Sequence, residues 1–238
     1  MANGLWVCQK RHSFLYGWCR MLEKLPESVG ESLDGVRAGL ENIVFHRLGR
    51  PEMPRLEVLS AAFPAGGSIP VQYTADGAGF SPPLSWSGVP PSTASIVLIV
   101  EDADSPTPHP LVHVIVVNMG VDDADLKEGV LNSPDHEGAA LQVGRNSFLK
   151  TAWLPPDPPP GHGVHRYVFQ VFALHVGAPF SQVPGRQEVF EAVEARAIAG
   201  GYLIGTYGRE HKVKVNAEEE VLVPARDAEE RVAPTALA

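Results

Sequence analysis

The chain has 238 residues, of which 44% are hydrophobic and 20% charged, with a formal net charge of −9. That length suits one substantial core with appendages or two small domains, and the acidic balance argues against a nucleic-acid binder, which presents a basic face. No apolar run is long enough to span a bilayer. The first residues lack the apolar segment of a secretory signal. Cys8 and Cys19 both precede the expected core, so a disulfide framework and a thiolate zinc site are not expected and a reducing cytoplasm is.

Residues 1–20 carry Lys10, Arg11 and Arg20 without an acid and show no period, and they read as an irregular leader. Met21 is a candidate start of translation. Over residues 22–48 the apolar positions Leu25, Val29, Leu33, Val36, Leu40, Ile43, Val44 and Leu48 recur three or four apart. That spacing predicts an amphipathic helix, with Pro26 tolerable in its first turn. Such a stripe packs on its own domain or on a second copy, so a homodimer through residues 22–48 stands beside the intramolecular reading. Residues 49–54 (GRPEMP) close this 21–54 extension as a linker.

Strand patterns then follow, at 56–59, at 69–74 with Val71 and Tyr73 alternating, and around Leu84 and Trp86 in SPPLSWSG. Residues 96–119 read IVLIVEDADSPTPHPLVHVIVVNM. Two short runs rich in Val and Ile, typical of buried strands, enclose the acidic turn Asp102-Ala103-Asp104-Ser105-Pro106, and the second run carries His113. Residues 122–138 are polar and turn-rich with Leu126 and Val130 as anchors, and a weak strand follows at 140–143. A proline loop at 154–163 (LPPDPPPGHG) is ordered by its fixed φ angles without being a strand. Out of it runs a strand at 164–176, on which His165, Tyr167, Phe169, Val171 and Ala173 share one face. A second amphipathic helix is expected at 187–199, ended by Gly200-Gly201, with closing strands at 202–207 and 212–215. The tail from 216 to 238 is polar and acidic and reads as mobile. The expected fold is therefore mainly β, one antiparallel domain over 55–215 with a few peripheral helices and an N-terminal helical extension.

Three pieces can converge: Asp102 and Asp104, His113, and His165 with Tyr167. A histidine among apolar neighbours is commonly structural, and Asp102 can instead cap its own turn. Arg166 faces away from His165 and reads as an ion-pair partner. No H-E-x-x-H spacing, G-x-S-x-G elbow or phosphate-binding glycine loop occurs, and Ser105 is a turn serine unless His113 reaches it. Two imidazoles, a tyrosine hydroxyl and loop amides make a small anion cradle, in which aspartates orient the rings and raise their pKa. The residues alone thus point to a pocket for a small phosphorylated or zwitterionic group.

Read together, YTADG at 73–77, SPPLSWSGVP at 81–90, the D-A-D-S-P turn, HVIVVNM at 113–119, PPPGHG at 158–163, His165-Arg166-Tyr167 and Gly205-Thr206-Tyr207 resemble the phosphatidylethanolamine-binding protein family, most closely its bacterial Raf-kinase-inhibitor-like branch. The resemblance runs over roughly residues 63–209. It implies an antiparallel β-sheet fold and a pocket for groups such as phosphoethanolamine. By motif position that pocket holds Asp102, Asp104, Pro106, His113, His165 and Tyr167. It also implies a ligand-binding, regulatory protein that is not an enzyme and uses no cofactor, with kinase or protease inhibition known in some eukaryotic members. The chain departs from the family at Ala103, Ser105 and Leu111, where proline, alanine and tryptophan are usual. It also has Ala152-Trp153-Leu154-Pro155-Pro156 in place of a glycine-rich stretch. Prolines donate no amide to an anion, and Trp153 is the aromatic available to replace the missing one. The expectation is non-catalytic binding of a small anionic ligand. The competing readings are a kinase- or protease-inhibiting protein with a vestigial pocket, and a hydrolase using His113 or His165 as general base.

Overall fold

The computed structural model describes residues 26–33, 35–132 and 141–209. The leader, the strand expected at 212–215 and the acidic tail lie outside the described residues. A small sheet pairs β1 (Glu57–Leu59), β2 (Leu84–Ser87) and β5 (Ala124–Leu126) in the order β1-β2-β5. The main sheet has the order β6-β4-β3-β7-β8, built from β3 (Ser95–Asp102), β4 (Leu111–Met119), β6 (Gln142–Val143), β7 (His165–Leu174) and β8 (Ala197–Tyr207). Every pairing in both sheets is antiparallel.

The main sheet is covered on both faces, which explains why β3 is continuously apolar rather than alternating. One face, with Leu98, Val100, Val114, Val116, Phe169 and Val171, packs against Val58, Leu84, Trp86 and Leu126 of the small sheet. The other face, with Val97, Ile99, Ile115, Val168 and Phe172, packs against Val189, Phe190 and Val193 of helix α3 (Arg186–Arg196) and against Ile43 to Phe45. The alternation expected along β7 holds, since Tyr167, Phe169, Val171 and Ala173 lie in the first layer and Val168, Phe172 and Leu174 in the second.

The continuous helix expected over 22–48 does not form. In its described part only α1 (Glu27–Ser32) and α2 (Val44–Arg47) are α-helical, with a 3-10 turn at Leu40–Asn42. Gly35 and Gly39 interrupt the stripe, and Gly39 takes φ +91°, a left-handed value that stops helical winding. The single helical face that a dimer seam needed is therefore absent from these residues, and Ile43 and Val44 are fully buried in the chain's own core. This segment is pinned by buried polar groups. The Glu101 carboxylate accepts from the Val44 amide at 2.8 Å, from the Gln170 side chain at 2.8 Å and from Arg186 at 2.6 Å. The Gln170 carbonyl oxygen takes the Phe45 amide at 2.8 Å. These bonds satisfy amides at the start of α2 that have no partner within the helix.

Two other expectations fail locally. In place of a strand at 69–74 there is a single bridge at Ser68 followed by a 3-10 turn, Val71–Tyr73, because Pro70 cannot continue a ladder. Helix α3 ends at Arg196, and Gly200-Gly201 lies inside β8. A Cβ at Gly201 would stand 2.1 Å from the Leu56 carbonyl oxygen, so the glycine permits a close approach of the chain leading into β1 rather than ending a helix.

Candidate functional site

Strands β4 and β7 flank β3, and the register aligns Asp102 with both Leu111 and Tyr167 at one end of the sheet. The acidic turn thereby meets the histidine-bearing start of each neighbour. Asp102 does both things open to it in the sequence. Its Oδ1 accepts the Asp104 amide at 2.9 Å, closing the turn, and its Oδ2 accepts from His165 Nδ1 at 2.8 Å. His165 Nε2 in turn lies 2.6 Å from Nδ1 of His162, whose Nε2 faces the carbonyl oxygens of Leu33 and Val36 at 2.8 and 3.1 Å. Carbonyls only accept, so His162 Nε2 carries a hydrogen, as does His165 Nδ1 against the carboxylate. His162 belongs to the PPPGHG motif but was not among the expected site residues. Its part is set by main-chain carbonyls, which no side-chain pattern announces.

His113 is different. Its Nδ1 donates to the Leu154 carbonyl at 2.6 Å while the Leu154 amide donates to the His113 carbonyl at 2.9 Å. Its Nε2 is buried without a partner, as are the Tyr167 hydroxyl and the Trp153 indole nitrogen. The rings of His113 and Tyr167 meet edge to face, 5.1 Å between centroids. Trp153 packs 6.0 Å from His113 and stacks on Phe169. Burial pushes the His113 pKa below its ordinary value, and the neighbouring Asp102 charge and Leu154 carbonyl only partly oppose this. The aspartates were expected to raise it; here desolvation of the ring outweighs them. Burial, reinforced by Asp102, also holds the Tyr167 hydroxyl well above its usual value. At neutral pH the floor of the site is therefore a neutral imidazole with a lone pair at Nε2 beside a phenol that keeps its hydrogen.

Asp104 points elsewhere. Arg166 grips its carboxylate through Nε at 2.7 Å and a second nitrogen at 2.6 Å, the Arg166 amide adds a third bond at 2.8 Å, and Arg37 lies 3.2 Å away. Burial alone would raise the Asp104 pKa, but the Arg166 hydrogen bonds and charge reverse this and leave it below the ordinary carboxylate range. The ion-pair role read for Arg166 is thus its observed one. Pro106 is half-buried in the turn. The Ser105 hydroxyl donates to the Asp102 carbonyl, contacts Thr107 and accepts the Leu111 amide, so its bonds close the turn rather than reach His113. Behind the proline loop, Tyr207 and Arg209 bond Asp76, and Arg209 also holds Asp157 and the Pro158 carbonyl. That network links the YTADG and GTY motifs to the loop.

Among the described residues no three His, Cys, Asp or Glu groups converge as metal ligands do, and no helix is long and apolar enough to cross a membrane. The site is closed, with Asp102, His113, His165 and Tyr167 at most 5% exposed. An open hollow of about 600 Å³ instead lies beside the start of β4, lined by groups such as Pro108, His109, Leu111, Arg145 and Phe148 and by none of the site's histidines.

Comparison with known proteins bears on this arrangement. The family model for phosphatidylethanolamine-binding protein matches residues 59–208. A UPF0098 protein of Aquifex aeolicus is 37% identical over 160 residues, covering 65% of this chain and 90% of its own length. Another from Methanothermobacter thermautotrophicus is 36% identical over 148 residues, covering 62% and 95%. Among solved structures, the putative phosphatidylethanolamine-binding protein homologue CT736 of Chlamydia trachomatis aligns with a TM-score of 0.59 at 34% identity, covering 66% of this chain and 99% of its own. YbcL of E. coli, described as a member of the mammalian family, aligns with a TM-score of 0.61 at 26% identity, covering 66% and 99%. The matched span contains the whole main sheet, β2 and β5 of the small sheet and the His113, His165 and Tyr167 corner, and the chain belongs to the phosphatidylethanolamine-binding protein family, in its bacterial, YbcL-type branch.

Proposed function

We propose that the chain reversibly binds a small phosphate-bearing group, of the phosphoethanolamine kind, on the floor formed by His113 and Tyr167, as a non-catalytic regulatory protein of the cytoplasm. One observation carries this reading: two buried polar atoms, His113 Nε2 and the Tyr167 hydroxyl, have no protein partner and belong to rings in contact. An unsatisfied buried polar atom costs about 1–3 kcal/mol, so a ligand that satisfies both recovers that loss. A phosphate monoester offers the matching pair, an ionised oxygen for the phenol to donate to and a P–OH hydrogen for the imidazole lone pair. A dianion fits only if His113 takes up a proton. In either case the complex holds one proton more than free dianion and neutral ring. Binding of uncharged apolar groups gains nothing from these atoms, and Ser105, the nearest candidate nucleophile in the turn, is held by its own loop.

Calorimetric titration with phosphoethanolamine tests the proposal. The expected result is saturable one-to-one binding whose heat varies with the buffer's ionisation enthalpy above pH 7, the signature of proton uptake. Absence of saturable binding contradicts it.

A further inference from the structure

The described residues 26–33 and 35–39 lie outside the span that matches the family, yet they bond both its acidic turn and its PPPGHG loop. The contacts are specific. The carbonyls of Leu33 and Val36 receive His162 Nε2. Arg37 donates to the Val164 and His162 carbonyls at 3.0 and 3.1 Å and pairs with Asp104 at 3.2 Å. The Ala38 and Gly39 amides donate to the Ser105 and Ala103 carbonyls at 3.0 and 2.7 Å, so the segment runs on to the acidic turn itself. Gly30 packs so closely on the proline loop that a Cβ there would stand 1.9 Å from the Pro160 carbonyl oxygen and 2.9 Å from the His162 amide. The whole segment joins the two walls of the pocket, turn on one side and PPPGHG loop on the other.

Its energetics are those of a removable cover. Val29 and Val36 remain 37% and 48% exposed, so little apolar area holds the segment down. Docking rests mainly on polar bonds that water or a ligand can replace, each worth about 0.5–1.5 kcal/mol net. Segments of this kind open at the low end of a protein's stability range. Arg37 also adds an ion pair to Asp104, whose carboxylate Arg166 holds as well.

We propose that residues 26–33 and 35–39 are an autoinhibitory strap, whose docking on the acidic turn and the PPPGHG loop opposes entry of a phosphate-bearing ligand to the His113–Tyr167 floor. This rests on the binding reading given above. A strap docked about nine-tenths of the time lowers apparent affinity about tenfold.

The test compares the full-length wild type with Gly30→Val, whose side chain collides with the main chain of the PPPGHG loop, and with Arg37→Ala. Phosphoethanolamine affinity and the rate of tryptic cleavage after Arg37 are measured, the latter on wild type and Gly30→Val. The expected result is about tenfold tighter binding by both variants and at least about tenfold faster cleavage of Gly30→Val. Equal cleavage of wild type and Gly30→Val overturns the docked strap. Equal affinities across the three proteins overturn its gating role while leaving the binding reading intact. Failure of all three to bind, with Gly30→Val opened to trypsin, overturns the binding reading and the gate with it.

Discussion

Strands β4 and β7 flank the same central strand and each brings a histidine to the same corner, yet the two rings are in opposite states. His165 has both nitrogens engaged, by Asp102 on one side and His162 on the other. His113 has one nitrogen fixed by a loop carbonyl and the other buried with no partner, beside an equally unpartnered phenol. The wall is a completed hydrogen-bond chain and contributes to stability. The floor is incomplete and costs stability, which is what a site kept ready for a ligand looks like. Residue type alone does not separate these two histidines; the number of satisfied nitrogens does.

The strongest way to break this contrast is to cut each half separately. Asp102→Ala removes the carboxylate that orders both the turn and His165, and unfolding in urea should show a loss of about 3–5 kcal/mol, the usual effect of orphaning one partner of a buried pair. Tyr167→Phe removes only a hydroxyl that has no partner. Its unfolding free energy should be unchanged or higher by about 1 kcal/mol, while phosphoethanolamine affinity falls at least about tenfold, the worth of a hydrogen bond to a charged group. Similar stability losses from the two substitutions would erase the distinction between wall and floor.

The pH dependence sharpens it further. The complex holds one extra proton, so affinity should fall about tenfold per pH unit above pH 7, once the free phosphate ester, with its second pKa near 6, is fully ionised. A flat profile between pH 7 and 9 contradicts the proton count. A smaller effect is expected on stability. Because the folded-state pKa of His113 lies below its unfolded value, the unfolded chain takes up that proton first. Stability from this ring is fully present above about pH 6.5 and is lost as pH falls through the lowered folded value. His113→Gln should remove that slope, as followed by thermal unfolding between pH 7 and 5.

Much of this was legible in the chain. The Val and Ile runs around the acidic turn are strands β3 and β4, and the period-two pattern of β7 assigned its two faces correctly, because burial on a pleated strand leaves a strict alternation. The stripe at 22–48 misled because its spacing ignores Gly35 and Gly39, and the chain spends its apolar residues there on short turns and on the core near Glu101. Gly200-Gly201 read as a helix end, whereas Gly201 admits the chain entering β1 and Gly200 faces the Met53 and Phe172 side chains. At the site, His113, His165, Tyr167 and Asp102 converge as their motifs implied. Asp104 does not join them, since Arg166 and Arg37 hold its carboxylate. His162 was missed because its partners are the carbonyls of Leu33 and Val36, distant in sequence and identical in every residue type.

The central claim, that His113 and Tyr167 form a binding floor while His165 belongs to a structural wall, is tested most directly by histidine-ring NMR during titration with phosphoethanolamine. The His113 nitrogen resonances should move through saturation as Nε2 gains a partner, and should cease to move in Tyr167→Phe at the same ligand concentration. His113 resonances that stay fixed at millimolar ligand in the wild type and in Gly30→Val alike contradict the account.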